Sequence, residues 1–326
     1  MSDGIERALR GMGLPVADLH DLPTSERRFP DGGQYRIEIP STEGPEGLDT
    51  VLAEARDLDV PLHRVSQGSG VLMLTDAELA AMARAAQAAQ IELSLFARPT
   101  AGWGVSAASM SEVGASVAAA VRGADQLRDC LSDVARAAAA GVRGVLLSDI
   151  GGLRVFDRMR ADGAVPADMT AKVSVMLPAA NPATAQALEE MGAGSLNLPT
   201  DLDLSQIAAI RAAVSIPLDI YVEVPSNLGG FVRLTQIPEL IRIAAPVYIK
   251  FGLRNGPDIY PTGRHLESAA LAMSRERVRR ARLGLEVIQR SGTDLRASPV
   301  AAADLRIPVP PSAEPSLSFN PQRGNS

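Results

Sequence analysis

Short apolar runs alternate with longer amphipathic stretches eight times along this chain. Strands are predicted at 35–39, 62–65, 91–96, 144–147, 172–177, 195–198, 218–224 and 247–251, each rich in Val, Ile, Leu or Tyr. Between them, apolar residues recur at three- and four-residue spacing, predicting helices such as 48–58, 76–89, 126–140, 182–191, 204–213 and 237–244. Asp76, Asn181 followed by Pro182, and Asp201 or Asp203 stand where helix N-caps belong, and Gly141 and Gly192 where helices stop. Eight β-then-α units in one run define an α/β chain of the (β/α)8 TIM-barrel class. A doubly wound open sheet is the alternative, but no Gly-x-Gly-x-x-Gly turn follows the first strand.

The alternation within each strand adds a second prediction. Ile37 and Ile39, Leu93, Val173, Ile220 and Val222, and Val247 and Ile249 form helix-facing sets, with Ile91 and Val175 assigned to the same side. The opposite faces then point inward: Arg36 and Glu38, Glu92 and Ser94, Lys172 and Ser174, Asp219, Tyr221 and Glu223, and Tyr248 and Lys250. Barrels usually fill this space with branched apolar side chains; here the pattern fills it with charge. Buried charges cost several kcal/mol each unless paired, so the signs must balance. The first inward positions of the odd strands, Arg36, Glu92, Lys172 and Asp219, predict a neutral ionic floor. Of the 32 basic residues, Lys172 and Lys250 are the only lysines, and both fall in predicted strands.

Lys250 stands near the C-terminal end of the eighth strand, where such barrels do chemistry. Closure predicts Glu223 and Glu38 as its neighbours, with Asn197 and Asp149 at the same mouth and His63, Arg64 and Gln67 on the second strand and its loop. A lysine with carboxylates and an amide suits binding and polarising a small anionic, oxygenated substrate, with Lys250, Glu223 and Glu38 as the catalytic candidates. Two carboxylates beside Lys250 argue against an imine-forming lysine. Lyase, aldolase or isomerase chemistry fits this mouth, and so does a non-catalytic binding or scaffold barrel. No cofactor is required; Mg²⁺ or Mn²⁺ on Glu38, Glu223 and Asp149 is the alternative. Gly-rich loops at 225–230 and 252–257, with Arg254 and Arg264, would suit an anion.

Three segments fall outside the strand-and-helix count: a polar arm at 1–30 with a short helix, a loop at 99–123 inserted within the barrel domain at 31–290, and a Pro- and Ser-rich tail at 291–326 predicted to be disordered. The loop follows the third strand and carries Trp103, which predicts a lid with Trp103 at the substrate. The cluster Arg275, Arg277, Arg279, Arg280 and Arg282 predicts a solvated or subunit-facing helix surface. A net charge of −6 and 3% aromatic residues argue against nucleic acid. No stretch is apolar enough for a membrane span and no secretory signal is visible, so a cytoplasmic protein with a small-molecule substrate is expected, with homo-oligomerisation left open. The single cysteine, Cys130, excludes an iron–sulfur cluster built by one chain.

The runs His63-Arg-Val-Ser-Gln-Gly-Ser-Gly, Lys172-Val-Ser-Val-Met-Leu-Pro, Asn197-Leu-Pro-Thr-Asp and Tyr248-Ile-Lys-Phe-Gly-Leu-Arg-Asn resemble actinobacterial chains of the U32 peptidase family. The likeness extends over about 33–290 and implies a barrel fold and hydrolase chemistry. The family's cysteine-bearing signature is absent, so the resemblance assigns no catalytic residue to this chain.

Overall fold

The computed structural model describes residues 2–103 and 119–311. Eight parallel strands close into a barrel in sequence order: β1 (Tyr35–Pro40), β2 (Leu62–Ser66), β3 (Glu92–Phe96), β4 (Gly144–Leu147), β5 (Thr170–Val173), β6 (Ala193–Asn197), β7 (Leu218–Glu223) and β8 (Val247–Phe251). The α-helices among the described residues are α1 (Ser2–Gly11), α2 (Gly44–Asp57), α3 (Asp76–Ala88), α4 (Gly123–Ala139), α5 (Ile150–Ala161), α6 (Pro182–Glu190), α7 (Leu204–Ala213), α8 (Ile237–Ala244) and α9 (Glu267–Ser291). This is the predicted (β/α)8 class. Helix α5 carries Gly151 and Gly152 in its first turn, which dilute its apolar stripe.

Local sequence sets the element ends. Thr75 and Glu78 form a capping box at α3, Asp203 and Gln206 another at α7, and Asn181 accepts from the Thr184 amide ahead of Pro182 at α6. Of the two residues offered as caps for α7, it is Asp203 that serves. The helices cover the outer face of the sheet, where Ile37, Ile39, Leu93, Val173, Ile220, Val222, Val247 and Ile249 join Leu48, Met82, Val134, Phe156 and Ile210 in one apolar core. Strand β5 ends at Val173, earlier than the predicted 177, since Ser174 to Leu177 close a turn (Leu177 N–H to Ser174 O, 2.9 Å). Val175 therefore leaves the helix-facing set.

Three register shifts interrupt the ladder, one of them at Gly194 in β6, where Ala171 faces Ala193 but Lys172 faces Ser195; the other two reset the alternation in β2 and β7. Ile37 faces Leu62 but Glu38 faces Arg64, so His63 is an extra residue in β2. Tyr221 faces Lys250 but Glu223 faces Phe251, so β7 gains a residue before its end. Both bulges matter for the site.

The segment after α9 departs from the predicted disordered tail. Through residue 311 it is ordered across the N-terminal end of the barrel; residues 312–326 lie outside the described residues. Ala297 bridges Tyr35, Ser298 N–H donates to Tyr35 O (3.0 Å), the Arg306 amide donates to Glu92 (2.9 Å), and Val309 N–H donates to Gly141 O (2.7 Å). Gly141 has φ +94°, and a Cβ there would collide with Val309 and Pro310, so only glycine admits this contact. The Arg cluster on α9 is also no uniform surface. Arg277 is buried with its guanidinium on Ser41 O (3.2 Å), and Arg280 pairs with Glu223; Arg275 and Arg279 are exposed. The proposed lid falls mostly on 104–118, outside the described residues.

Candidate functional site

The barrel interior is ionic, as the alternation predicted, but its members are rearranged. Glu38, fully buried, lies at the centre. It accepts from Arg64 Nε (2.7 Å), Ser66 Oγ (2.6 Å) and Lys172 Nζ (2.5 Å to Oε2), with Lys250 Nζ at 3.5 Å. Burial alone would raise the Glu38 carboxyl; Arg64, Lys172 and Lys250 together hold it well below the usual carboxylate range. Asp219 is the second anion, bonded to Arg64, to Ser195 Oγ (2.7 Å) and more distantly to Lys172 (3.8 Å). Arg64 also lies 3.5 Å over the Tyr248 ring, and Tyr248 donates to Glu92 (2.8 Å). Arg64 therefore takes the place predicted for Arg36. Arg36 turns down to Asp31 (2.8 Å), Asp304 (2.6 Å) and Ser298.

Lys250 closes the bottom of a cavity of about 360 Å³ at the C-terminal ends of the strands. It is 2% exposed, sits 4.1 Å over the Tyr221 ring, and is accepted by Asn197 Oδ1 (2.9 Å) in the amide orientation that also lets Asn197 donate to Asp219 O (3.3 Å). The wall adds Ser41, Ser66, Gln67, Ser174, Tyr260 and Arg98. Gln67 ties its own loop through Gly70 (3.0 and 3.1 Å) while facing the cavity. Tyr260 bonds Ser41, and its ring presses on Gly68, where a Cβ would approach within 2.5 Å of the ring. Burial raises both Tyr221 and Tyr260 above the ordinary phenol, so both stay donors. Arg98, lowered by burial, donates to Gly68 O (2.8 Å) and lies near the Trp103 and Tyr260 rings (4.8 and 5.4 Å). Among the described residues the lining includes two cations and several hydroxyls but no carboxylate. Such a surface favours an anion.

The structure brings together Lys250, Glu38, Asn197, Gln67 and Arg64 around or just beneath this mouth, and separates the other candidates. Glu223 points away from it: the β7 bulge turns the carboxylate to Arg280 on α9 (2.8 Å) and the Arg254 amide (3.0 Å). Asp149 caps α5, accepting from Gly152 N–H (2.8 Å) and Val121 N–H (3.1 Å). His63, displaced by the β2 bulge, accepts from Ile37 N–H and meets Ser298 O at the other end of the barrel. Arg254 is exposed outside the lining, and Trp103 reaches the mouth only through Arg98. Glu38, Glu223 and Asp149 thus do not converge; among the described residues no group of three or more His, Cys, Asp or Glu is placed to hold a metal ion. Ser174 and Tyr221 were legible as inward residues, whereas Arg98, Ser41 and Tyr260 come from loops without periodic signal.

A closed eight-stranded parallel barrel with a polar, donor-lined cavity at the C-terminal ends of its strands is a TIM-barrel protein with its pocket where barrel enzymes carry theirs. Residues 107–224 match the family model for Peptidase family U32. No curated protein sequence matches. Among solved structures, the U32 peptidase Mk0906 is 20% identical, covering 61% of this chain and 73% of that one with a TM-score of 0.40. The putative copper homeostasis protein CutC from Streptococcus agalactiae is 11% identical (66% and 98% covered, TM-score 0.42). The carboxyl transferase domain of Rhizobium etli pyruvate carboxylase is 14% identical (82% and 50% covered, TM-score 0.42). No helix among the described residues is long and apolar enough to cross a membrane.

Proposed function

We propose that this barrel is an enzyme that takes a small carboxylate- or carbonyl-bearing substrate at the C-terminal mouth, with Lys250 as the group that touches it. The observation carrying this reading is the placement of Lys250, buried at the base of a cavity whose lining, among the described residues, holds donors and no carboxylate. A fixed ammonium there stabilises negative charge developing on a substrate oxygen. Glu38, too strongly paired to act as a good proton acceptor, is a positioning residue that fixes Lys250 from below. Asn197 sets the other side of the ammonium. Oxyanion stabilisation of this kind serves carbon–carbon lyase or isomerase chemistry on a 2-oxo acid.

Peptide hydrolysis is the second reading, favoured by the family-model match over 107–224; there Lys250 would polarise the scissile carbonyl. Calorimetry with malonate, pyruvate and oxaloacetate on the full chain, followed by NMR assay of turnover of 2-oxo acids and short peptides, tests both. Lys250→Met should weaken binding roughly ten- to a hundredfold, the worth of one charge-assisted hydrogen bond, with an unchanged circular dichroism spectrum. Binding that survives Lys250→Met overturns the site. Binding without turnover of either substrate class leaves a ligand-binding barrel and overturns the enzyme.

A further inference from the structure

The opposite end of the barrel holds a second and larger cavity, of about 550 Å³, within the size range of metabolite pockets. Its deepest wall is formed by inward side chains of the strands: Ser94 from β3, Lys172 from β5, Ser195 from β6 and Arg64 from β2. Its rim is formed by Arg28 of the N-terminal arm and Arg306 of the C-terminal segment, both exposed. Among the described residues six cationic side chains line it (Arg28, Arg36, Arg64, Arg160, Lys172 and Arg306), against the carboxylates Glu92, Asp168 and Asp304.

Most of these groups already have partners. Arg36 is spent on Asp31, Asp304, Ser298 and Tyr248, and Arg160 on Asp157, Met169 O and Gly192 O. Three are not fully used. The Ser94 hydroxyl is buried, its residue 2% exposed, and has no hydrogen-bond partner among the described residues. Leaving such a group unsatisfied forfeits its hydration without return, so a native structure keeps one where something else completes it. Arg64 has its Nη1 only at 3.8 Å from Glu92, beyond hydrogen-bond reach. Lys172 bonds Glu38, with Asp219 only at 3.8 Å, so one of its three N–H donors is without a close acceptor.

We propose that this N-terminal cavity is a second ligand site, for a small phosphate- or carboxylate-bearing anion that is received by Arg28 and Arg306 at the rim and reaches Ser94, Lys172 and Arg64 at the bottom. The site is separate from the Lys250 mouth, since among the described residues none lines both cavities. Its bottom also predicts a pH dependence. Burial, reinforced by Arg64 and Lys250, pushes the Lys172 amine down to about 7 against the pull of Asp219 and Glu38. The charged groups acting on that amine are Glu38 on β1, Arg64 on β2, Asp219 on β7 and Lys250 on β8, while Glu92 on β3 and Tyr248 on β8 line the same cavity and face Arg64. An incoming anion favours the protonated amine, so binding should tighten from pH 8 to pH 6.

Isothermal calorimetry of the full chain with pyrophosphate and with citrate tests this, the two probes separating phosphate from carboxylate as the recognised group. We expect saturable binding of one probe, weakened at least fivefold by Arg306→Gln and by Ser94→Ala, and kept in Lys250→Met. Arg306 is exposed and Ser94→Ala removes only an unpartnered hydroxyl, so neither variant should disturb folding. No binding of either probe, binding equal to wild type in both variants, or binding lost in Lys250→Met would each overturn the proposal. The last result would assign the anion to the C-terminal mouth instead.

Discussion

His63 has opposite tasks for its two ring nitrogens. Nδ1 accepts the Ile37 N–H at 3.1 Å, so the ring proton lies on Nε2 and is donated to Ser298 O at 2.9 Å. A second proton would have to displace the Ile37 bond inside a fully buried site. Burial, with Arg36 close by, pushes the imidazole down to about 4 although the Ser298 carbonyl pulls the other way. An unfolded histidine titrates near 6.5, so between these values the unfolded chain binds the extra proton and the folded chain does not. The stability carried by neutral His63 is therefore complete above about pH 6.5 and is lost as the pH falls toward 4, to a total of roughly 3 kcal/mol at 1.36 kcal/mol per unit. Melting temperature measured across this window should fall more steeply for wild type than for His63→Gln, whose amide can accept and donate without titrating; parallel slopes would refute the assignment. The same residue shows the reach of sequence reading. Its position beside Arg64 was legible, but its side was not, because alternation assumes two residues per pleat and a bulge adds a third.

At the level of elements, the strand pattern carried most of the fold. Strong apolar periodicity placed eight strands and the inward charge on β1, β3, β5, β7 and β8, since both follow from the two-residue repeat. Bulges and loops were beyond it. The β7 bulge moves Glu223 from the predicted mouth to Arg280 on α9, a change that depends on strand register rather than on any local residue preference. Tyr260 and Arg98 reach the mouth from loops whose path is set by tertiary contacts with Gly68. The displaced Glu223 yields its own prediction. Glu223→Gln should leave malonate binding at the Lys250 mouth within twofold of wild type. It should also cost about 1–2 kcal/mol in urea denaturation, a modest figure because Arg280 is 30% exposed and screened by water. Loss of binding with unchanged stability would place Glu223 back at the site.

At the scale of the whole molecule, the two ends of the barrel are finished differently. The C-terminal end is left as a cavity by the βα loops, while the N-terminal end is framed by the arm and by the chain after α9. Low hydrophobicity and many prolines made that last segment read as disordered, yet its order does not come from an apolar core of its own. It comes from partners that the barrel leaves unfinished. Arg36 needs Asp304 and Ser298, His63 needs Ser298 O, Glu92 accepts the Arg306 amide, and Gly141 O accepts from Val309. Phe29 from the arm covers Arg36 from the other side, 3.9 Å beneath the guanidinium and edge-on to Tyr248. Removing the segment would strip the buried Arg36 of one of its two carboxylates and expose the ionic interior to water from below. A chain ending at Gly292 should therefore lose about 3–5 kcal/mol, the usual cost of breaking a buried charged network, and should show faster amide exchange in β1 and β2 than in β5 and β6. Equal stability and uniform exchange would mean that the base of the barrel stands without this segment.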